Sequence, residues 1–162
     1  MALRRSQVLS FLLKGGYSVV FLQETRTDPT AEDSWLLEWG DGVYFSHFTV
    51  RQAGVATLFC PDLWPEVLGV TEAMPGHLLH LRIPMEGLMI NLVNIYAPTM
   101  SLKRPQFYQR MSAFLSTLDS HECLVLGGDF NTTPEEQDRS GAELIQGFVP
   151  QTLFAPQTFS EK

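Results

Sequence analysis

Two apolar runs, "LMINLVNIYAP" (88–98) and "CLVLGGDFN" (123–131), constrain the fold more than any other feature of the chain. A strand with one wet face alternates apolar and polar residues, whereas a strand covered on both faces reads as a nearly unbroken apolar run. These two runs therefore require a sheet with layers packed above and below it. Shorter β-branched and aromatic runs, "SVVFLQE", "VYFSHFTV" and "GVATLFC", supply further strands. "HLLHLRIPM" precedes the first long run and is separated from it by Glu86-Gly87, the composition of a tight hairpin turn.

Helical spacing appears between the strands. "MALRRSQVLSFLLKGG" predicts an amphipathic helix with Val8, Phe11 and Leu12 on one face. Its basic start and apolar middle resemble a signal peptide, but Lys14 interrupts the apolar stretch and no small-residue cleavage site follows. "TAEDSWLLEWG" predicts a second helix, with Thr30 as N-cap and Gly40 as stop. "RPQFYQRMSAFLSTLDS" predicts a third, from about Arg104 to Leu118, whose Phe107, Met111, Phe114 and Leu115 stripe packs on the sheet. "GAELIQGF" is a short helix at best. No repeat, linker or low-complexity segment intervenes. The expected class is α/β (α+β) with a mixed, largely antiparallel sheet, in a single domain over residues 1–162.

Composition narrows the function classes. Hydrophobic residues are 44% and charged residues 18%, the balance of a globular chain with no apolar run long enough to span a membrane. The net charge of −7 argues against non-specific coating of nucleic acid, which needs a basic surface. It leaves room for a nuclease, because carboxylates gathered around a metal also make a domain acidic. Cys60 and Cys123 both adjoin apolar segments and read as two buried thiols in a reducing compartment, nuclear or cytoplasmic.

Three strands share one property: each ends in a residue suited to phosphate or metal chemistry. "VVFLQE" ends at Gln23-Glu24, "LVNIY" at Tyr96, and "LVLGGDFN" at Asp129 and Asn131. Strand ends in layered folds line a common crevice, so residues distant in sequence converge there. A hard cation such as Mg²⁺ takes carboxylate and amide oxygens plus water, and Glu24 with Asp129 supplies that set. Gly127 and Gly128 let backbone or substrate approach closely. Singly, each residue has a plainer reading: Glu24 a solvated strand-exit charge, Tyr96 a core aromatic, Asp129 and Asn131 turn caps. Their coincidence at three strand ends favours the functional reading.

"VVFLQET", "LVNIYAP" and "LGGDFNTTP" together resemble the endonuclease/exonuclease/phosphatase superfamily. The wording is most similar to the endonuclease domain of non-LTR (long interspersed) retrotransposons, with Gly54-Val55-Ala56 and Asp138-Arg139-Ser140-Gly141 adding to the match. The resemblance implies a DNase I-like four-layered α/β sandwich and metal-dependent phosphodiester hydrolysis of DNA. It implies Glu24 as metal ligand, Tyr96 against the scissile phosphate, Asp129 orienting or deprotonating the attacking water, and Asn131 as its partner. The implied metal set is Glu24, Asp129 and Asn131 around Mg²⁺, with Mn²⁺ as the alternative, and Gln23 supports Glu24.

The chain also departs from the family pattern. The family carries an asparagine on a strand before the first helix, whereas the first asparagine here is Asn91. The family ends in an aspartate and a Ser-Asp-His, whereas no histidine here follows His121. The sequence therefore leads us to expect an incomplete sandwich, trimmed at both ends, with crippled activity. His47, His77, His80 and His121 read as strand or surface residues outside the site, with His77 and His80 on opposite faces of one strand. Arg26, Arg51, Lys103 and Arg104 lie near strand ends, where they would meet a DNA backbone. The competing functions are a non-catalytic retro-element remnant or domesticated interaction module, and a phosphatase of lipid or inositol headgroups.

Overall fold

The longer apolar run is buried from Asn91 to Ala97 because it sits inside four layers, whereas the run 123–131 lies at a sheet edge with only Leu126 buried. The computed structural model describes residues 2–63 and 65–132. Helix α1 (Ala2–Lys14) leads into β1 (Val19–Gln23), then a 3₁₀ turn (Pro29–Ala31), α2 (Glu32–Trp39), β2 (Val43–Ser46) and β3 (Val55–Phe59). There follow β4 (Gly69–Met74), β5 (Leu78–Met85), β6 (Leu88–Tyr96), a second 3₁₀ turn (Ser101–Lys103), α3 (Arg104–Leu115) and β7 (Cys123–Asp129).

The strands form two sheets: β1-β3-β2, antiparallel throughout, and β4-β5-β6-β7, in which only the β6–β7 pair is parallel. The sheets pack face to face through Val55 and Phe59 on one side and Leu79, Leu81, Ile83, Leu92 and Tyr96 on the other. Leu9, Trp35 and Trp39 cover the outer face of the first sheet over Ala56 and Leu58. Phe107, Met111 and Leu115 of α3 cover the outer face of the second over Leu78, Val93 and Ile95. The period-two geometry of a strand produces this: in β6, Leu92 and Tyr96 face the first sheet, while Val93 and Ile95 face α3.

The expected α3 stripe packs as predicted, with Phe114 partly buried beside the other three. The helix ends at Leu115 rather than Leu118, where Ser116 and Thr117 turn their hydroxyls back onto the carbonyls of Ala113 and Phe114. The β5–β6 turn is as read, with Glu86 and Gly87 at φ 51° and 81°, the left-handed pair of a type I′ hairpin.

Four expectations need correction. The buried face of α1 is Leu9 with Leu12, while Val8 and Phe11 are 48% and 67% exposed. A rotation of about 100° separates the two stripes. The Leu9 stripe also lets Arg5 reach Ser34 and Glu38 on α2. Thr30 is not the cap: Asp28 accepts from the Thr30 amide at 2.9 Å, and Pro29-Thr30-Ala31 form a 3₁₀ turn before α2. Gly40 does end α2, at φ 109°. The run "VYFSHFTV" leaves the sheet after Ser46, whose Oγ accepts the Gly76 amide at 2.7 Å. Neither free thiol is buried, for Cys60 is half-buried and Cys123 exposed. β4 went unread because "GVTEAM" is an edge strand whose Val70, Thr71 and Glu72 are exposed. The "GAELIQGF" helix and Asp138–Gly141 lie outside the described residues.

Candidate functional site

β6 and β7 run parallel in register, which sets Tyr96 beside Asp129 as ladder partners. The Ala97 amide donates to the Asp129 carbonyl at 2.8 Å and carries the pairing past both strand ends. Glu24 arrives from the other sheet, one residue beyond β1. What brings it there is Gly127: a Cβ at this position would lie 3.0 Å from the Phe21 ring on β1. With no Cβ, β1 closes onto β7, and the Tyr96 hydroxyl donates across the sheets to Glu24 Oε1.

A buried amide fixes the same junction from below. Asn94 is fully buried on β6; its Nδ2 donates to the carbonyls of Ala56 at 2.9 Å and Leu22 at 3.2 Å. Its Oδ1 accepts from Gln23 Nε2 at 2.8 Å. Gln23 thus supports Glu24 indirectly, by tying the strand end that carries it. Glu24 itself sits at φ 53°. A non-glycine residue held in the left-handed region costs on the order of 1–3 kcal/mol and persists only where surrounding bonds enforce it. Here the Thr25 and Arg26 amides bonded to the Gly54 and Ala53 carbonyls do so.

Asn131 is likewise left-handed, at φ 48°. Its amide donates to Asp129 Oδ1 at 2.9 Å, a turn geometry that asparagine tolerates well, and its Nδ2 donates to the Ala97 carbonyl at 2.7 Å. One Asp129 oxygen is therefore committed to positioning, and among the described residues neither its other oxygen nor Asn131 Oδ1 accepts a hydrogen bond. Helix α3 grips the same loop: Arg104 donates to the Asn131 carbonyl and Tyr108 to the Phe130 carbonyl.

Charge is strongly structured at this edge. The Tyr96 hydroxyl, more than any other group, holds Glu24 below the usual carboxylate range, and Arg26 adds to it with a 2.7 Å ion pair to Oε2. Burial first, and the Glu24 carboxylate second, push the Tyr96 phenol up to about 12. At neutral pH the pair is thus an anionic carboxylate and a neutral phenol donor. The Glu24 carboxylate already has a cation, the Arg26 guanidinium, at one oxygen, so the position favours positive charge. Two carboxylates and an amide oxygen form a hard donor set, which suits Mg²⁺ or Mn²⁺. Among the described residues no group of three or more His, Cys, Asp or Glu is arranged to hold a metal ion. That excludes a dense ligand cage there, but not a site of one or two carboxylates completed by water.

A cleft of about 410 Å³ opens beside Glu24 and Tyr96, with Arg26, Arg51, Lys103, Phe48 and His77 among its walls. Three of the four basic residues expected near DNA are thus in it, whereas Arg104 is engaged with the loop. His77 was placed outside the site by its sequence context. It lies in the turn before β5, not on a strand with His80, and its ring stacks parallel to Tyr96 with centroids 5.7 Å apart. His80 faces α3, bonded to Asn91 at 2.8 Å. His47 bridges Thr27 and Glu32, away from Asp129. Asn94 was missed as well, although an asparagine within an otherwise apolar strand was a legible signal of a buried polar tie.

Comparison with known proteins agrees with this fold. Residues 1–159 match the model of the Endonuclease/Exonuclease/phosphatase family. A Xenopus laevis protein described as "Transposon TX1 uncharacterized 149 kDa protein" is 52% identical over 137 residues, which cover 85% of this chain and 10% of that protein. The chain thus spans about a tenth of the length of that relative. An AP endonuclease from Archaeoglobus fulgidus superimposes with a TM-score of 0.62 at 22% identity, over 88% of this chain and 66% of that one. D. rerio TDP2, solved in complex with single strand DNA product, superimposes with a TM-score of 0.61 at 16% identity, over 86% and 57%.

Proposed function

This chain belongs to the endonuclease/exonuclease/phosphatase family, and from that premise we propose that it is a metal-dependent phosphodiesterase acting on DNA. Residues 1–162 would work as one domain, in the nucleus or cytoplasm where DNA is met; among the described residues no helix is long and apolar enough to cross a membrane. The single observation that carries the reading is the contact of Tyr96 with Glu24 across the two sheets, beside Asp129.

Glu24, Asp129 and Asn131 would hold Mg²⁺ or Mn²⁺, which when bound compensates the negative charge of the phosphoryl oxygens. The remaining work falls to the chain itself. Asp129 orients a water and accepts its proton on the oxygen not taken by the Asn131 amide. Asn131 keeps that carboxylate in one rotamer. Tyr96, neutral at working pH, has a single hydroxyl proton, which would turn from Glu24 Oε1 to a phosphate oxygen when DNA is bound. Arg26, Arg51 and Lys103 give the cleft basic walls within a domain of net charge −7, which would draw a phosphodiester backbone to this edge. The transposon-encoded relative favours DNA over a lipid headgroup.

The test is nicking of supercoiled plasmid by the full 162-residue chain with Mg²⁺, beside EDTA and Glu24→Ala. Nicking that disappears in both controls supports the reading. DNA binding without any metal-dependent nicking would instead favour a non-catalytic interaction module.

A further inference from the structure

The cleft that opens on Tyr96 carries an aromatic wall that hydrolysis of a phosphodiester does not require. His77 stacks on Tyr96 with ring planes 3° apart, and Phe48 stands beside His77 with centroids 5.8 Å apart, tilted by 58°. His77 is itself fixed. Its Nδ1 lies 2.6 Å from the Tyr96 carbonyl, which can only accept, so Nδ1 carries the proton. The Tyr96 amide returns a bond to the His77 carbonyl at 2.8 Å.

Phe48 is just as firmly seated, although its side chain is half in solvent at 52% exposure. A Cβ on Gly76 would lie 2.3 Å from the Phe48 Cβ, so the phenylalanine packs down onto a backbone that only glycine leaves open. Gly76 is buried and anchored on both sides, its amide on Ser46 Oγ and its carbonyl on the Gly54 amide. The close approach of Gly76 at its Cβ and the His77 ring beside it limit the space open to the Phe48 side chain. Arg51 and Lys103, both exposed, line the same cleft, and among the described residues neither forms an ion pair. A rigid aromatic face flanked by unpaired cations fits a nucleobase and its phosphates.

We propose that Phe48 is a stacking platform for one unpaired base of a single-stranded or locally opened nucleic acid, next to the phosphate held at Tyr96, with Arg51 and Lys103 on the neighbouring phosphates. This rests on the phosphodiesterase reading only for its orientation, because base stacking is measurable without metal or turnover. It makes the cleft selective for unstacked nucleotides rather than for uniform duplex.

The test uses the full chain in EDTA with a short oligothymidylate carrying one 2-aminopurine, and the same backbone with an abasic tetrahydrofuran in place of that base. The wild type should quench the 2-aminopurine and bind the base-containing oligonucleotide about tenfold more tightly than the abasic one. Phe48→Ala should lose both the quench and that preference, and Phe48→Trp should keep both. Circular dichroism and the buried-tryptophan fluorescence establish that each variant is folded. Equal binding of the two oligonucleotides by the wild type, or an unchanged quench in folded Phe48→Ala, would overturn the platform. Failure of metal-dependent nicking alone would overturn the hydrolytic reading and leave the stacking result standing.

Discussion

Replacing Asn94 by alanine tests whether the strand-end geometry is enforced from within the core. The amide is fully buried and makes three hydrogen bonds, to the Ala56 and Leu22 carbonyls and from Gln23 Nε2. At about 1 kcal/mol net for each bond, the loss comes to about 3 kcal/mol, before any cavity cost. For a domain of this size that lowers Tm by roughly 6–12 °C. Asn94→Asp should be worse, because a carboxylate facing two carbonyls cannot donate and its charge is buried. Urea unfolding followed by the fluorescence of buried Trp35 and Trp39 gives the number directly. A loss below about 1 kcal/mol in Asn94→Ala would refute the reasoning, since it would mean that water or a neighbour replaces all three bonds at no cost.

Three further outcomes follow from other parts of the molecule. Leu9→Ala should cost about 2–4 kcal/mol, whereas Phe11→Ser on the opposite face should stay within about 0.5 kcal/mol, both by denaturant titration. Gly128→Ala should destabilise by more than about 2 kcal/mol, because its Cβ would fall 2.0 Å from the Ile95 carbonyl oxygen at a φ of 137°; thermal unfolding reads the loss. Glu122 is held down at about 2, against 4.5 when free, chiefly by Arg82 and then by Asn91. A depressed carboxylate contributes stability above its unfolded value and loses it as pH falls toward its folded one. Glu122→Gln should therefore flatten the acid limb of the stability curve between 4.5 and about 2.

Much of the architecture is legible in the sequence, for identifiable physical reasons. A near-continuous apolar run announced β6 as doubly covered, and Glu86-Gly87 announced the turn that pairs β5 with β6; the same signal overstated the burial of β7, an edge strand with only Leu126 buried. The apolar stripe of α3 chose its sheet-facing side without ambiguity. Where two stripes share Leu12, as in α1, periodicity alone could not choose. The choice was made by Arg5 pairing across to α2, a contact 33 residues away in sequence. β4 is unreadable for the opposite reason, since an edge strand with exposed Thr71 and Glu72 carries no burial signal. At the site, the gathering of Glu24, Tyr96, Asp129 and Asn131 was legible in residue type and strand-end placement. Their mutual geometry was not, because it depends on Gly127 admitting Phe21 and on left-handed backbone at Glu24 and Asn131. His77 was invisible as a neighbour of Tyr96, since a turn of three residues, not a strand, sets its direction.

The central claim is that Glu24 and Asp129 share one divalent cation at the convergence of β1, β6 and β7. Titration of the chain with Mn²⁺, read by loss of the free-ion electron paramagnetic resonance signal, measures this without any need for turnover. The account predicts one site in the wild type, weakened at least tenfold in Glu24→Gln and in Asp129→Asn, and unchanged in Asp28→Asn, a nearby carboxylate that only caps a turn. Equal affinity across all four proteins would contradict it.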